Sequence, residues 1–293
     1  MAQSRLTVSI LNWNGLELTR QCLRSLLVST VVPDKIIVLD NGSDQNEAAV
    51  LRTEFSTHPV TILRSETNLG FAGGNNYVIK QLQTETPAET AYDYIMLLNQ
   101  DATVEPKAIQ QLIAYLDTQP NIAVAGPLVL NPTGTIQSCG ADINRWTGKI
   151  ISRKQNQTRN TAPAAPELVD CVIGNCFVMR TSALNSLGLL DEQYFAYYEE
   201  ADWCRRATAA GKNCAVVPSA IIQHSKSGGF RTYLVTRNMI WFQKRYATAP
   251  QLVGFFIYFW GYFIFERLKK GSPLSDLIRA AKDGWLNRNI GKA

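Results

Sequence analysis

Three acids and one histidine in this sequence have neighbours that suit them to chemistry. Asp101 stops an apolar run, Tyr94-Ile95-Met96-Leu97-Leu98-Asn99-Gln100-Asp101. An acid after a strand is ordinarily a turn residue or a helix cap, and Thr103-Val104-Glu105-Pro106 is expected to open a helix. Beyond the carboxyl end of a strand in an α/β sheet, the same acid stands where ligands bind. Glu199 and Glu200 end an aromatic run, Tyr194-Phe195-Ala196-Tyr197-Tyr198. Asp202 with Arg205 or Arg206 gives ordinary helix-surface pairs. Those pairs leave unexplained two glutamates beside aromatics, where a carboxyl pKa rises toward the range a general base needs. His224 follows Ile221-Ile222-Gln223 and enters Ser225-Lys226-Ser227-Gly228-Gly229. It suits a diphosphate or metal site shared with Asp101. The other histidine, His58 before Pro59, sits in a polar link and is read as a surface residue.

The elements that must position these groups alternate in type. Leu6-Thr7-Val8-Ser9-Ile10-Leu11, Lys35-Ile36-Ile37-Val38-Leu39 and Val60-Thr61-Ile62-Leu63-Arg64 are strand-like, each followed by a helical stretch, and 94–98 is the fourth strand. This pattern implies βαβ units around a parallel sheet. Right-handed crossovers then bring all four carboxyl ends to one edge. Those ends carry Asn12-Trp13-Asn14-Gly15, Asp40-Asn41-Gly42-Ser43-Asp44, the stretch 68–76 and Asp101. One polar strand end would be ordinary; four on one edge describe a site. Gly70, Gly73 and Gly74 follow neither the P-loop nor the G-x-G-x-x-G spacing. They either allow a sharp turn and close packing, or let the backbone approach a nucleotide while Asn68 and Asn75 offer amides.

Residues 121–180 form a second region. Ile122-Ala123-Val124-Ala125-Gly126 and Leu128-Val129-Leu130 are expected as two short strands around Pro127. The polar stretch 145–166, with Lys149, Arg153, Lys154 and Arg159, is expected as a mobile loop, either a solvated excursion or a basic flap over a diphosphate. The stretch 172–179 is strand-like. Thr181-Ser182 should cap a short helix that Gly188 ends, and Gly211 should close the helix that carries Glu199 and Glu200. Cys214-Ala215-Val216-Val217 is a further strand. Residues 233–246 are helical. From 247 to 265 there is no charged residue and eight aromatics crowd the segment, with Glu266, Arg267, Lys269 and Lys270 after it. That composition suits a helix lying in a membrane interface better than a span, or a buried helix of the core or a dimer contact. The stretch 274–286, with Arg279, Lys282 and Arg288, is amphipathic and suits an anionic surface.

A chain of 293 residues holds one large or two modest domains, and its 46% hydrophobic and 18% charged residues mark it as globular. The formal charge of +5 fits an anionic ligand or acidic membrane surface and is too weak to argue for nucleic acid. Six cysteines form no C-x-x-C pair and no signal-peptide pattern is evident, so they are expected as reduced, buried thiols of a cytosolic protein. Two histidines make a His/Cys zinc site improbable.

Taken in order, Val8-Ser9-Ile10-Leu11-Asn12-Trp13-Asn14, Asp40-Asn41-Gly42-Ser43-Asp44, Asn68-Leu69-Gly70-Phe71-Ala72-Gly73-Gly74-Asn75, Leu98-Asn99-Gln100-Asp101, Tyr198-Glu199-Glu200-Ala201-Asp202 and His224 resemble the family-two inverting glycosyltransferases of the GT-A fold, in their rhamnosyltransferase-like branch. The resemblance covers roughly residues 5–245. It implies an α/β GT-A fold, with a Rossmann-like nucleotide-binding half over about 1–120, an acceptor half over about 121–230, a mixed central sheet with helices on both faces, and a C-terminal helical segment 231–293. It implies nucleotide contacts at Asn12, Asn14, Asp40, Asn41, Asn68, Gly70, Gly73, Asn75 and Asn99. Asp101, last acid of a D-x-D element whose first position is Asn99 here, would hold Mg2+ or Mn2+ with His224 near the diphosphate. Glu200 stands where the family usually has Asp, so the base is Glu199 or Glu200. Tyr198, Asp202 and Trp203 would meet the acceptor. The implied donor is dTDP-rhamnose or a UDP-sugar. The implied acceptor is a lipid-linked or cell-wall polysaccharide, met at the inner face of the plasma membrane through peripheral contact. A sugar nucleotidyltransferase is the alternative within the fold class, and it lacks its Arg/Lys-bearing glycine loop here. A catalytically silent membrane-docked scaffold is the alternative outside it.

Overall fold

The computed structural model describes residues 4–85, 92–225, 232–269, 271 and 273–286. The loop 226–229 and the basic residues Lys270 and Arg288 named above lie outside them. The first half is built as its periodicity predicts. Strands β1 (Leu6–Asn12), β2 (Lys35–Asn41), β3 (Val60–Ser65) and β4 (Tyr94–Asn99) alternate with helices α1 (Leu16–Leu27), α2 (Glu47–Glu54) and α3 (Gly70–Glu85). β4, β1, β2 and β3 lie side by side and all parallel. β4 is apolar on both faces because both are covered. Ile95 and Leu97 join one buried cluster, while Tyr94, Met96 and Leu98 join another on the opposite side of the sheet.

The second half departs from a purely parallel sheet. β5 (Ala102–Val104) precedes α4 (Ala108–Thr118); then come β6 (Ile122–Leu130), β7 (Ile136–Ser138), β8 (Ala141–Ile143), β9 (Ile150–Ser152), β10 (Glu167–Val169) and β11 (Cys176–Arg180). Helices α5 (Thr181–Leu187) and α6 (Glu199–Ala209) lead to β12 (Asn213–His224). The large sheet runs β10-β12-β6-β11-β4-β1-β2-β3, with β5 on β12 and β7 on β6. β11 inserts antiparallel between β4 and β6, and β12 returns parallel to β6. The sheet is therefore mixed.

Several local expectations are corrected. Thr103 and Val104 pair with β12 as a strand and do not open a helix; α4 starts at Ala108. Residues 122–130 are one strand that runs through Pro127, which lies opposite Val217 where the β12 register shifts. The strand placed at 172–179 begins only at Cys176. The glycine-rich stretch is largely helix, since α3 starts at Gly70. Thr181 is the first residue of α5 and makes no capping bond. In place of a mobile loop, 145–166 holds β9, paired with β8. There Lys149 pairs with Glu266, Arg153 with Asp142 and Glu167, and Arg159 with Glu105. All six cysteines are buried and free.

The chain then forms α7 (Thr232–Tyr246), α8 (Ala249–Tyr258), a π-helical turn over Phe259–Phe263, α9 (Ile264–Lys269) and α10 (Leu274–Trp285). Gln251 accepts the Thr248 amide at 2.9 Å and caps the start of α8. Phe255, Phe259 and Phe263 belong to the same cluster as Trp203 and Val124, so these helices share the core of the second half of the sheet. Each buried phenylalanine contributes about 1.5–3 kcal/mol to that attachment.

Candidate active site

The carboxyl end of β4 and the end of β12 meet because β5 pairs with β12, setting Ala102 opposite His224. Asp101 Oδ1 stands 3.0 Å from His224 Nε2 and both side chains are buried. Asn99 Nδ2 lies 3.2 Å from the same nitrogen, and the Gln137 amide lies 3.1 Å from Nδ1. A partner on the far nitrogen fixes the ring's orientation toward Asp101. Gln137, on β7, carried no signal in the sequence. An acid oxygen and an imidazole nitrogen converging at this distance fit adjacent positions around a hard divalent cation, whose ligand bonds are about 2.1 Å. Among the described residues no three His, Cys, Asp or Glu side chains gather into a complete cage. An ion held by Asp101 and His224 would take its other ligands from substrate oxygens and water.

The turn before β11 joins this corner to the two glutamates. Asn175 accepts the Asn99 amide at 3.1 Å through its carbonyl. The neighbouring Gly174 faces Glu200, whose Oε1 a β-carbon there would meet at 3.8 Å, and its amide favours the ionised carboxylate. Glu199 and Glu200 open α6, and each has one carboxyl oxygen closed to solvent with no hydrogen-bond partner, as does Asn175 Oδ1. Burial pushes Glu200 up to about 7. Burial, then repulsion from Glu200, pushes Glu199 up as well. The two neighbouring carboxyls titrate as a pair, both held up by burial. Gly174 and Asn175 are site residues that sequence reasoning placed inside a strand.

The backbone before Glu199 is held in an unusual shape. Phe195, Tyr197 and Tyr198 have φ of 65°, 69° and 76°, the left-handed region that costs residues with side chains energy. Asn238 Nδ2 bonds the carbonyls of Tyr194, Ala196 and Tyr197 at 2.7–2.9 Å. The Phe195 carbonyl accepts the amides of Phe71 and Ala72 at the start of α3. Gly70, at φ 75°, is pressed against that carbonyl, and a β-carbon there would collide with it. Only glycine fits, so Gly70 positions the turn carrying the glutamates.

Most expected nucleotide contacts lie on the parallel-strand edge, engaged with one another. Asn12 is fully buried, donating to Glu47 at 2.7 Å and accepting from Thr19. Asp40, also fully buried, accepts from Arg64 at 2.9 Å and from the amides of Ser43 and Ala48. Asn41 ties Asn68, Leu69 and Gly70 together. Asn14, at φ 47°, exchanges bonds with Asp44 and is exposed. Gln100 clasps the Trp13 backbone from both sides, and Trp13 is exposed at the mouth. Gly73 and Asn75 are placed elsewhere. Gly73 faces Leu69 and Glu192, and buried Asn75 bonds Ser9 and the Phe71 carbonyl.

The acceptor assignments need correction. Trp203 is wholly buried, its indole N–H donating to Gly188 and its ring edge-on to Phe177. Asp202 is wholly buried and holds Arg206, Arg245 and Tyr246 at 2.6–3.0 Å. Both spend their polar atoms on packing α6 against its neighbours. Tyr198 is buried, with its hydroxyl on the Gly148 carbonyl at 2.8 Å. Arg205 stacks over Tyr246 and leaves Asp202 to Arg206. His58 is exposed, as expected.

The profile of glycosyltransferase-like family 2 matches residues 3–241. The chain belongs to that family. Among its relatives, the N-acetylglucosaminyl-diphospho-decaprenol L-rhamnosyltransferase of Mycobacterium tuberculosis is 28% identical over 70% of this chain and 71% of its own. The low-salt glycan biosynthesis hexosyltransferase Agl10 of Haloferax volcanii is 26% identical over 70% of this chain and 65% of its own. The dTDP-rhamnosyl transferase RfbF of Shigella flexneri is 22% identical, covering 65% and 59%. Solved structures share the fold at low identity. The mannosyltransferase PcManGT of Pyrobaculum calidifontis, in complex with GDP-Man and Mn2+, superposes with a TM-score of 0.60 at 14% identity, covering 100% of this chain and 77% of that one. GalNAc-T7 with UDP, GalNAc and Mn2+ gives 0.65 at 16%, covering 82% of this chain and 47% of that one, so this chain spans about half its length. The mixed sheet flanked by helices is thus a GT-A fold, and family-2 membership makes the protein a glycosyltransferase-type enzyme. No described helix is long and apolar enough to cross a membrane.

Proposed function

We propose that this family-2 enzyme transfers a hexosyl group, L-rhamnose from dTDP-rhamnose in the first instance or a sugar from a UDP donor, to a hydroxyl of a lipid-linked or cell-wall glycan, with inversion. The observation that carries the reading is the buried Glu199–Glu200 pair, joined through Gly174 and Asn175 to the corner formed by Asn99, Asp101 and His224. In this reading Glu200 takes the acceptor hydroxyl proton as that oxygen attacks the anomeric carbon. The new carbon–oxygen bond forms on one face while the bond to the diphosphate breaks on the other, the diphosphate leaving with the electron pair. One displacement inverts the centre and needs no covalent nucleophile. Glu199 keeps its proton and directs it at Glu200. Asp101 and His224 would hold a Mg2+ or Mn2+ ion, which supplies neutralisation of the leaving diphosphate. Rhamnose is favoured by the names of two relatives and by the sequence branch.

The test is thermal stabilisation by nucleoside diphosphates and their sugars, with and without Mn2+, followed by product detection. A ligand at about 100 times its Kd adds about 2.7 kcal/mol of stability. Stabilisation by dTDP compounds, enhanced by Mn2+ and reduced in Asp101→Ala, is the expected result. Preference for UDP compounds keeps the mechanism and replaces the sugar. No response from the folded protein overturns the reading in favour of a catalytically silent scaffold.

A further inference from the structure

Residues 249–269 form one helical rod with two apolar faces. Phe255, Phe259 and Phe263 are at most 1% exposed and lie in the core, Phe255 facing Trp285. The opposite face carries Val253, Phe256, Ile257, Trp260, Phe265 and Leu268, each between 41% and 67% exposed. Val253, Phe256, Ile257 and Trp260 recur at three and four, the spacing of a single helix face, and Phe265 and Leu268 follow three apart beyond the π-helical turn. A buried helix needs only one apolar face, so the second has no explanation in the fold. The patch does not end with the rod. The half-exposed ring of Trp146, from the β8–β9 turn, lies against Gly254, and Tyr262 is exposed further along the rod.

Charge marks what covers this face. Over 247–293 the sequence has seven Lys or Arg against three Asp or Glu. Of those acids, Asp283 is buried on Tyr233 and Glu266 is paired with Lys149. Arg267 and Lys269 end the rod, and Lys282 lies on α10. Exposed Trp and Tyr among aliphatic and phenylalanine side chains, bordered by cations, match the boundary between acyl chains and anionic headgroups. A contact with a second copy would set these cations against themselves.

We propose that this face docks on an anionic lipid bilayer, with the rod lying in the headgroup boundary and the Trp146 turn beside it. The dock is wired to the glutamates. Lys149 binds Glu266 at 2.8 Å and lies over the rings of Tyr258 and Tyr262. The adjoining Gly148 carbonyl holds the hydroxyl of Tyr198, the residue before Glu199. A surface seated on the rod thus fixes the height of the α6 N-terminus above the lipid, which suits an acceptor whose reactive sugar is tethered by a lipid diphosphate. That last step rests on the function proposed above; the docking itself does not.

Co-sedimentation of the full chain with vesicles of phosphatidylglycerol and phosphatidylcholine, against phosphatidylcholine alone, tests it. Binding should favour the anionic vesicles and weaken with salt. The triple variant Phe256→Ser, Ile257→Ser, Phe265→Ser should lose about tenfold or more of that binding. Its nucleotide-induced stabilisation should match the parent, showing an intact fold. Failure of the parent to bind either vesicle overturns the proposal. So does a parent dimer, seen by light scattering, that the triple variant abolishes, since the occupant is then a second copy. Vesicle binding without any nucleotide response would leave the dock standing and overturn the enzymatic reading.

Discussion

The two halves of the sheet treat their polar side chains in opposite ways. On the parallel-strand edge, Asn12, Asp40 and Asn41 are buried and bonded to one another or to the backbone. At the start of α6 and the turn before β11, Glu199, Glu200 and Asn175 each keep a closed-off oxygen without a partner. A satisfied network is rigid, whereas an unsatisfied buried oxygen is costly and persists where function demands it. The polar groups of the first half are satisfied within the fold, and the second half holds carboxyls that burial brings into a titratable range.

The largest expected effect would come from Glu200→Gln, with a fall of about 10²–10⁴ in kcat and unchanged nucleotide affinity by calorimetry. If Glu199→Gln is as damaging while Glu200→Gln is mild, the division of roles within the pair is reversed. Next, Asp202→Ala should cost about 1.5–3 kcal/mol in urea unfolding, because Arg206, Arg245 and Tyr246 lose a common charged acceptor. Asp40→Ala should cost less, about 1–3 kcal/mol, through the unpaired amides of Ser43 and Ala48. If it lowers nucleotide affinity with stability intact, the parallel edge is a ligand surface and not a saturated scaffold. The smallest effect lies in pH dependence. kcat should rise with pH along a limb centred at about 7, as Glu200 ionises. For stability the sign is opposite. The folded state holds protons on these glutamates that the unfolded chain has released, so their contribution is full below about pH 4.3 and lost as pH rises through about 7. The double variant Glu199→Gln, Glu200→Gln should flatten that decline in a denaturation series across pH.

The parallel edge was legible because strands apolar on both faces write themselves as short unbroken runs, and Asp101 stood out where such a run stopped. What escaped depended on partners distant in sequence. Thr103 and Val104 are a strand only because β12 lies beside them. Gln137 matters only because His224, 87 residues later, folds against it. Asp202 and Trp203 had residue types fit for a sugar, yet their burial follows from Arg245, Tyr246 and Phe177. Glu199 and Glu200 could not be separated by type or position. Their different surroundings set them apart: a Gly174 amide beside one, and a deeper apolar setting for the other.

Asn238 sits on α7, beyond the point where sequence suggested that a catalytic domain could end, and its single amide holds three carbonyls of the turn before Glu199. The boundary near residue 230 is therefore unsafe as a cut. A chain shortened there would keep every acid in the sequence motif and lose the clasp that aims them. A motif-complete fragment ending there is expected to be inactive, and a graft of the glutamate pair onto another GT-A scaffold to need α7 with it.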